Sequence, residues 1–348
     1  MVPEVSSLLV QGSRAWLGPG EVVDDAAVVF QGSRVAYAGN AEWAPEADEE
    51  IAGDWFLMPA VVDQHVHLRL SDPPAVLRGG VTAVRDLGWP PEEIFPLVDI
   101  STGTDFDGPQ VAAAGPMLTA VGGYPTRAGW APAGTGLEVS GPEEAAAAVG
   151  RLADDDAAAI KVALNAEAGP TLSDAELVAV CDAAHARELH VVAHVQGEGQ
   201  TERALGAGVD ELAHTPWSER LSDELVASLA RGTAIVSTLD IHSYGEVTRE
   251  LRVAVDNLFR FARAGGKVLY GTDLGNGAIP PGIHLREVQH LESARLSNER
   301  ILEAMTAWRA HPGARGDLIA LEGDPLEDLE AFGQLRLVVR GGRVRVRS

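Results

Sequence analysis

The sequence predicts an α/β protein built on a (β/α)8 TIM barrel, with a small β domain assembled from both ends of the chain. Three observations carry this prediction. Strand-like and helix-like stretches alternate between residues 58 and 311, eight of the former fall in that interval, and both termini read as Gly-punctuated hairpins. Alternation of β and α units implies parallel strands, and eight such strands imply closure into a barrel. Isolated hairpins are marginal in water, so the two terminal sets are expected to combine. The resulting division is a composite β domain over 1–57 and 312–348 around a barrel over 58–311.

At the N-terminus, Ser7-Leu-Leu-Val10 precedes Gln11-Gly-Ser-Arg14, and Ala26-Ala-Val-Val-Phe30 precedes Gln31-Gly-Ser-Arg34. Apolar runs meeting Gly-containing turns are hairpin signals. At the other end, Asp317–Leu321 and Leu335–Arg347 carry the same signature, with Gly341-Gly342 as the turn of a last hairpin.

The first barrel strand is predicted in Pro59-Ala-Val-Val-Asp-Gln-His-Val-His-Leu68. The other seven lie at Val81–Val84, Gln110–Ala114, Ala158–Ala163, His190–Ala193, Val209–Ala213, Thr233–Ser237 and Lys267–Tyr270. Pro142-Glu-Glu opens a helix as Pro and acidic residues should. Ser173-Asp-Ala-Glu176 is a capping-box pattern ahead of an apolar-periodic run to His185. Pro125–Gly136, with Trp130, is a candidate active-site loop.

Composition narrows the partners. The 348 residues carry a net charge of −24, which disfavours nucleic acid and anionic membrane surfaces. No uncharged apolar run approaches the roughly 20 residues that span a bilayer. Met1–Val5 lacks a basic region followed by an apolar core, so no signal peptide is expected. The single cysteine, Cys181, allows no intrachain disulfide and reads as a core residue in a reducing compartment. A cytoplasmic protein is expected.

Chemistry-bearing residues collect at the C-terminal ends of the predicted strands, where barrel enzymes place their sites. His65 and His67, two apart on a strand, point the same way and could chelate a divalent metal. The fourth strand holds Lys161, the fifth and sixth end at His194 and His214, and the eighth ends at Asp273. Arginine supplies nearly all the positive charge, and the only lysines are Lys161 and Lys267. A lysine inside an apolar strand therefore marks a position that needs an amine. Lys267 begins a strand and reads as structural.

This pattern resembles the amidohydrolase superfamily of metal-dependent hydrolases over nearly the whole chain. Met58–His67, Val191-Val-Ala-His194, Glu211-Leu-Ala-His214 and Gly271-Thr-Asp273 carry the likeness. Ile160-Lys-Val162 and Ala204–His214 are most similar to Xaa-Pro dipeptidase-like and imidazolonepropionase-related members. The resemblance implies that the terminal domain is a β-sandwich. It also implies two divalent ions, zinc foremost with manganese, cobalt or iron as alternatives. His65, His67 and Asp273 would serve the buried ion and His194 and His214 the outer one, bridged by Lys161 as a carbamate. Burial and nearby cations depress a lysine pKa and free its amine for CO₂. The implied reaction is attack on an amide by a hydroxide shared by the two ions, with Asp273 as general base and acid.

Several residues remain open at this stage. Asp63 is either a partner of the metal site or a strand-end cap. His242 and Tyr244, after the seventh strand, face the mouth and are candidate substrate contacts. Tyr124 stands in Val121-Gly-Gly-Tyr-Pro125, where relatives often carry a histidine, and could donate to an oxyanion. Arg127 could pair with a substrate carboxylate. His185, His190, His284 and His290 read as surface residues, and His311 as the exit from the barrel. Met305–Asp317 is shorter than the corresponding segment of relatives, which implies either a more open pocket or one completed by a second subunit in a homo-oligomer. The leading function is hydrolysis of a dipeptide, an N-acyl amino acid or a related small or cyclic amide. A mononuclear deaminase or imidazolone-type hydrolase using Glu219, a lactonase, and a non-catalytic binding barrel are the alternatives.

Overall fold

The computed structural model describes residues 7–103 and 105–348, so Met1–Val5 lies outside the described residues. The eight barrel strands are Val61–Val66, Val81–Asp86, Gln110–Ala113, Ile160–Asn165, Val191–Gln196, Glu211–Leu212, Ala234–Val236 and Lys267–Leu269, all at their predicted places. Within each run the neighbours pair in parallel. Backbone hydrogen bonds close the two seams. Ala158 N donates to Ala113 O (2.8 Å) between the third and fourth strands, and Gln64 N to Tyr270 O (3.0 Å) between the eighth and first. Two short parallel strands not evident in the sequence, Met117–Ala120 and Gly136–Val139, bracket the predicted 125–136 loop.

Parallel strands covered on both faces should be apolar almost throughout, with period two deciding which side each residue serves. In the fourth strand all six residues are buried. Ile160, Val162 and Leu164 join the core under the helices. The alternate residues Lys161, Ala163 and Asn165 point into the barrel, above a layer made of Leu87, Ala114, Ala159, Val192 and Ala213. At the opposite end Arg85 fills the interior by pairing with Glu211 and donating to Gln64 O (3.0 Å).

The helices follow from their patterns. Pro142–Asp154 buries Ala145, Ala148, Val149 and Leu152, and Arg249–Arg263 buries Leu251, Ala254, Leu258 and Phe261, each an i, i+3, i+4 stripe. The capping box at Ser173 is formed, and it starts the helix Asp174–His185. Cys181 lies buried on that helix, its thiol pushed up to about 12 by burial, so it packs and does not react. Lys267 is exposed at its strand start. Among the described residues no helix is long and apolar enough to cross a membrane.

Both ends of the chain enter one eight-stranded sheet. The junction is the antiparallel pairing of Leu318–Leu321 with Phe56–Pro59. Gly341 and Gly342, with φ of +57° and +69°, turn the last hairpin as expected. One expectation fails here. Gln11–Arg14 makes no turn, because Ser7–Gly18 is a single strand. Gly12 is present for close approach, since a Cβ there would stand 2.5 Å from the Trp55 carbonyl oxygen.

Candidate metal centre

The C-terminal strand ends surround a cavity of about 340 Å³. His65 and His67 alternate with outward-facing Val66 on the first strand, and each fixes its ring through Nδ1. His65 Nδ1 lies 2.8 Å from Ala213 O and His67 Nδ1 lies 3.1 Å from Gly88 O. A carbonyl can only accept, so each Nδ1 carries the proton and each Nε2 presents its lone pair to the cavity. Asp273 Oδ1 faces both, 3.4 Å from His65 Nε2 and 3.3 Å from His67 Nε2. The ligand atoms of these three buried residues lie within 4.8 Å of one another.

Asp273 has a φ of +56°, the left-handed region, held by its N–H bond to His65 O (2.8 Å). Gly271 just before it lets the eighth strand approach the first. A Cβ there would stand 2.3 Å from Val236 Cγ1 and 3.1 Å from His65 N. Burial alone would raise the Asp273 pKa, but the adjacent His65 and His67, with a 2.9 Å bond from Asn276 Nδ2, hold it well below the usual carboxylate range.

Lys161 rises from one layer deeper. Its backbone is in register with Val192, two residues below His194, so only a long side chain reaches the histidines. The amine is 1% exposed and has no hydrogen-bond partner among the described residues. Burial, opposed by Asp273, lowers its pKa to about 7. His194 and His214 complete the ring. Their imidazoles are 4.9 Å apart edge to face, and His214 stands 4.6 Å from His65. Burial, with Lys161 adding to it, lowers His194 to about 3, and burial with His65 holds His214 well below its ordinary value. All the residues expected to ligate metal thus converge.

These residues fit a cationic group. His65 Nε2, Asp273 Oδ1 and the Lys161 amine are buried polar atoms that no described residue satisfies, and such atoms are costly unless a further partner meets them. Four imidazoles, an ionised carboxylate and an amine able to become anionic form a donor set suited to divalent ions.

The remaining candidates divide. Tyr124, His242 and Tyr244 line the cavity, and Arg127 does not; it is exposed on the outer loop. Tyr124 stacks on His194 at 5.2 Å and accepts a 3.1 Å bond from Trp130 Nε1. Asp63 bonds to two backbone amides and a hydroxyl and not to an imidazole. It accepts from His65 N, Thr272 N and Thr272 Oγ1 (3.1, 3.0 and 2.5 Å), tying the first and eighth strands at the site. Glu219 caps Gly199 N (3.0 Å) away from the cavity. Met305–Asp317 runs along the N-terminal strands through Ala310 N to Leu17 O and Gly313 N to Val35 O (2.8 Å each) and contributes no residue to the cavity lining.

Three features escaped the sequence reading. Asn165 and Gln196 sit four and two residues beyond Lys161 and His194 and pair at 2.8 Å; period two along their strands would have marked them. Trp217 packs on His194, His214 and His242 at 5.7, 5.5 and 4.3 Å. The third is a correction. His284, expected at the surface, is 2% exposed, and His290 is mostly buried. Both face the fully buried Asp240, at 2.6 and 3.3 Å, with Arg286 at 2.9 Å and Ser243 Oγ at 2.6 Å. This cluster fixes the turn that carries His242 and Tyr244. Asp240→Ala is expected to destabilise the fold by about 3–5 kcal/mol in denaturant titration, since it strands buried polar partners. Burial would raise the Asp240 pKa, but His284, His290 and Arg286 outweigh it and hold it far below 3.8. Its contribution is therefore fully present above that value and lost as pH falls below it.

A family model described as the amidohydrolase family matches residues 56–344. An uncharacterized protein of Mycobacterium tuberculosis (strain ATCC 25618 / H37Rv) is 28% identical over 331 residues, covering 85% of this chain and 87% of that one. An imidazolonepropionase of Arthrobacter sp. (strain FB24) is 36% identical over 69 residues, 20% of this chain and 16% of that one. Among solved structures, a Xaa-Pro dipeptidase with bound methionine in its active site superposes with a TM-score of 0.82 at 20% identity, covering 97% of this chain and 99% of that one. The match over the barrel and the C-terminal strands makes this chain a member of the amidohydrolase family of hydrolases.

Proposed function

We propose that the protein is a binuclear metal-dependent hydrolase that cleaves an amide C–N bond in a peptide-like compound, an N-acyl amino acid or a cyclic amide. The observation that carries this is Lys161: a buried amine with no hydrogen-bond partner among the described residues, its pKa lowered to about 7, ringed by four histidines and Asp273. Its neutral form can add to CO₂, forming an N–C bond and releasing a proton to solvent, which yields an anionic carboxylate on a long arm. His65, His67 and Asp273 would hold one ion, His194 and His214 a second, and the Lys161 carbamate both. Two divalent ions, zinc foremost, supply Lewis acidity toward a carbonyl and lower the pKa of water.

The protein's own residues then divide the work. Asp273, ionised at neutral pH, takes the proton of the attacking water and returns it to the leaving nitrogen. Tyr124 keeps its proton, since burial and the nearby Asp273 push its pKa up to about 12, so it can donate to the developing oxyanion. His242 is held neutral by burial, at about 4, with Nε2 free of partners among the described residues and available to the substrate. Tyr124→Phe is expected to lower kcat by about a hundredfold with KM changed much less. The reading favours two ions over one because the deaminase alternative needs Glu219, which caps a helix outside the cavity.

The test is elemental analysis of the purified protein alongside turnover of acylated amino acids, capped peptides and cyclic amides with Zn²⁺ or Mn²⁺. Two equivalents of metal per chain and metal-dependent hydrolysis are expected. A protein with fewer than two equivalents that hydrolyses none of these amides would refute the proposal.

A further inference from the structure

We infer that the substrate is an uncharged amide bearing an aromatic group, and that compounds with a free carboxylate are disfavoured. This rests on the hydrolytic reading above and narrows its substrate class. Beside the metal-type residues and the neutral amides Asn165, Gln196 and Asn276, the walls carry a set of apolar and aromatic side chains: Trp130, Trp217, Tyr124, Met117, Ile241 and Leu70. No arginine lines the cavity among the described residues, and its one lysine is Lys161, buried at the floor. The nearest candidate cation in sequence, Arg127, is exposed on the outer loop, and Arg286 is committed to Asp240.

Two polar groups at the mouth, Tyr244 and Asn276, are uncharged and already paired. Tyr244 donates to Asn276 Oδ1 (3.0 Å), while Asn276 Nδ2 donates to Asp273 (2.9 Å). Away from the ions that the floor residues would hold, a carboxylate on the substrate would lose its water without gaining a charged partner from these walls. The net charge of −24 opposes anion entry from outside as well. Indole and phenol faces instead favour a flat, apolar ring. At about 340 Å³ the space is near the lower end for ligand pockets, which suits a small compound.

A matched pair separates the classes: N-benzoylglycine and its N-methylamide, which share the benzoyl amide and differ in charge. Binding to the metal-loaded protein is read from quenching of tryptophan fluorescence, since Trp130 and Trp217 line the cavity. The methylamide is expected to bind at least roughly tenfold more tightly than the acid. Leu70→Arg, which places a cation on a half-exposed wall residue, is expected to narrow that ratio at least threefold. Equal or tighter binding of the acid, an unchanged ratio in Leu70→Arg, or no binding of the methylamide at millimolar concentration overturns the inference. A methylamide that binds as expected but is not cleaved supports the inference and counts against the hydrolytic reading alone.

Discussion

Replacing Lys161 with methionine is expected to abolish turnover, by roughly a thousandfold or more, about 4 kcal/mol of barrier, while leaving the fold intact. The amine is the one group among the described residues that can become the bridging anion, and methionine copies its length without its nucleophilic nitrogen. A volume-conserving change in a packed layer costs little. Removing a buried amine that has no partner among the described residues also removes its desolvation cost, so the thermal midpoint should hold or rise. Metal content should fall below that of the parent. Lys161→Ala, by contrast, leaves a gap where the stem was, and millimolar acetate or propionate should restore part of the activity by supplying a carboxylate there. A methionine variant with parental metal content and turnover within tenfold of the parent would rule out the bridging role. Thermal denaturation, elemental analysis and steady-state kinetics on the same preparation separate these outcomes.

What the sequence revealed of this site depended on how local each signal was. His65 and His67 were legible because two residues on a strand share a face wherever the strand lies. Lys161, His194, His214 and Asp273 were legible once eight strands were counted, because a barrel brings all C-terminal strand ends together. Trp217 was not, since its place depends on a distant helix. Asn257 of Arg249–Arg263 donates to Pro216 O and Glu219 O (2.9 Å each) and accepts from Leu221 N (3.0 Å), and so shapes the loop that carries the indole. His284 misled for a related reason. A histidine near the start of an amphipathic helix resembles a surface residue until a buried partner is known, and Asp240 lies 44 positions away. Arg127 shows the converse. Its position after the third strand placed it near the mouth, but nothing local specified that the side chain would turn outward.

Asp273→Asn is expected to cost roughly a thousandfold or more in kcat, the size of a general acid–base contribution, with the structure retained. The left-handed backbone at this position (φ +56°) is one that asparagine adopts readily, and its amide keeps the size of the carboxyl group. The amide can still accept from Asn276, but it can neither take a proton from water nor return one to the leaving nitrogen. The variant also distinguishes the two duties assigned to this side chain. If Asp273 acts mainly as a ligand, excess metal should restore turnover toward the parent value. If it acts in proton transfer, the variant will hold its metal, bind the benzoylglycine methylamide with near-parental affinity, and remain slow at saturating metal and substrate. The second pattern is expected. His65 and His67 keep their Nε2 lone pairs directed at the site through bonds to Ala213 O and Gly88 O that the substitution leaves untouched. Full recovery of kcat in excess Zn²⁺ or Mn²⁺ would assign Asp273 to metal binding alone and move the proton-transfer role to another residue of the cavity.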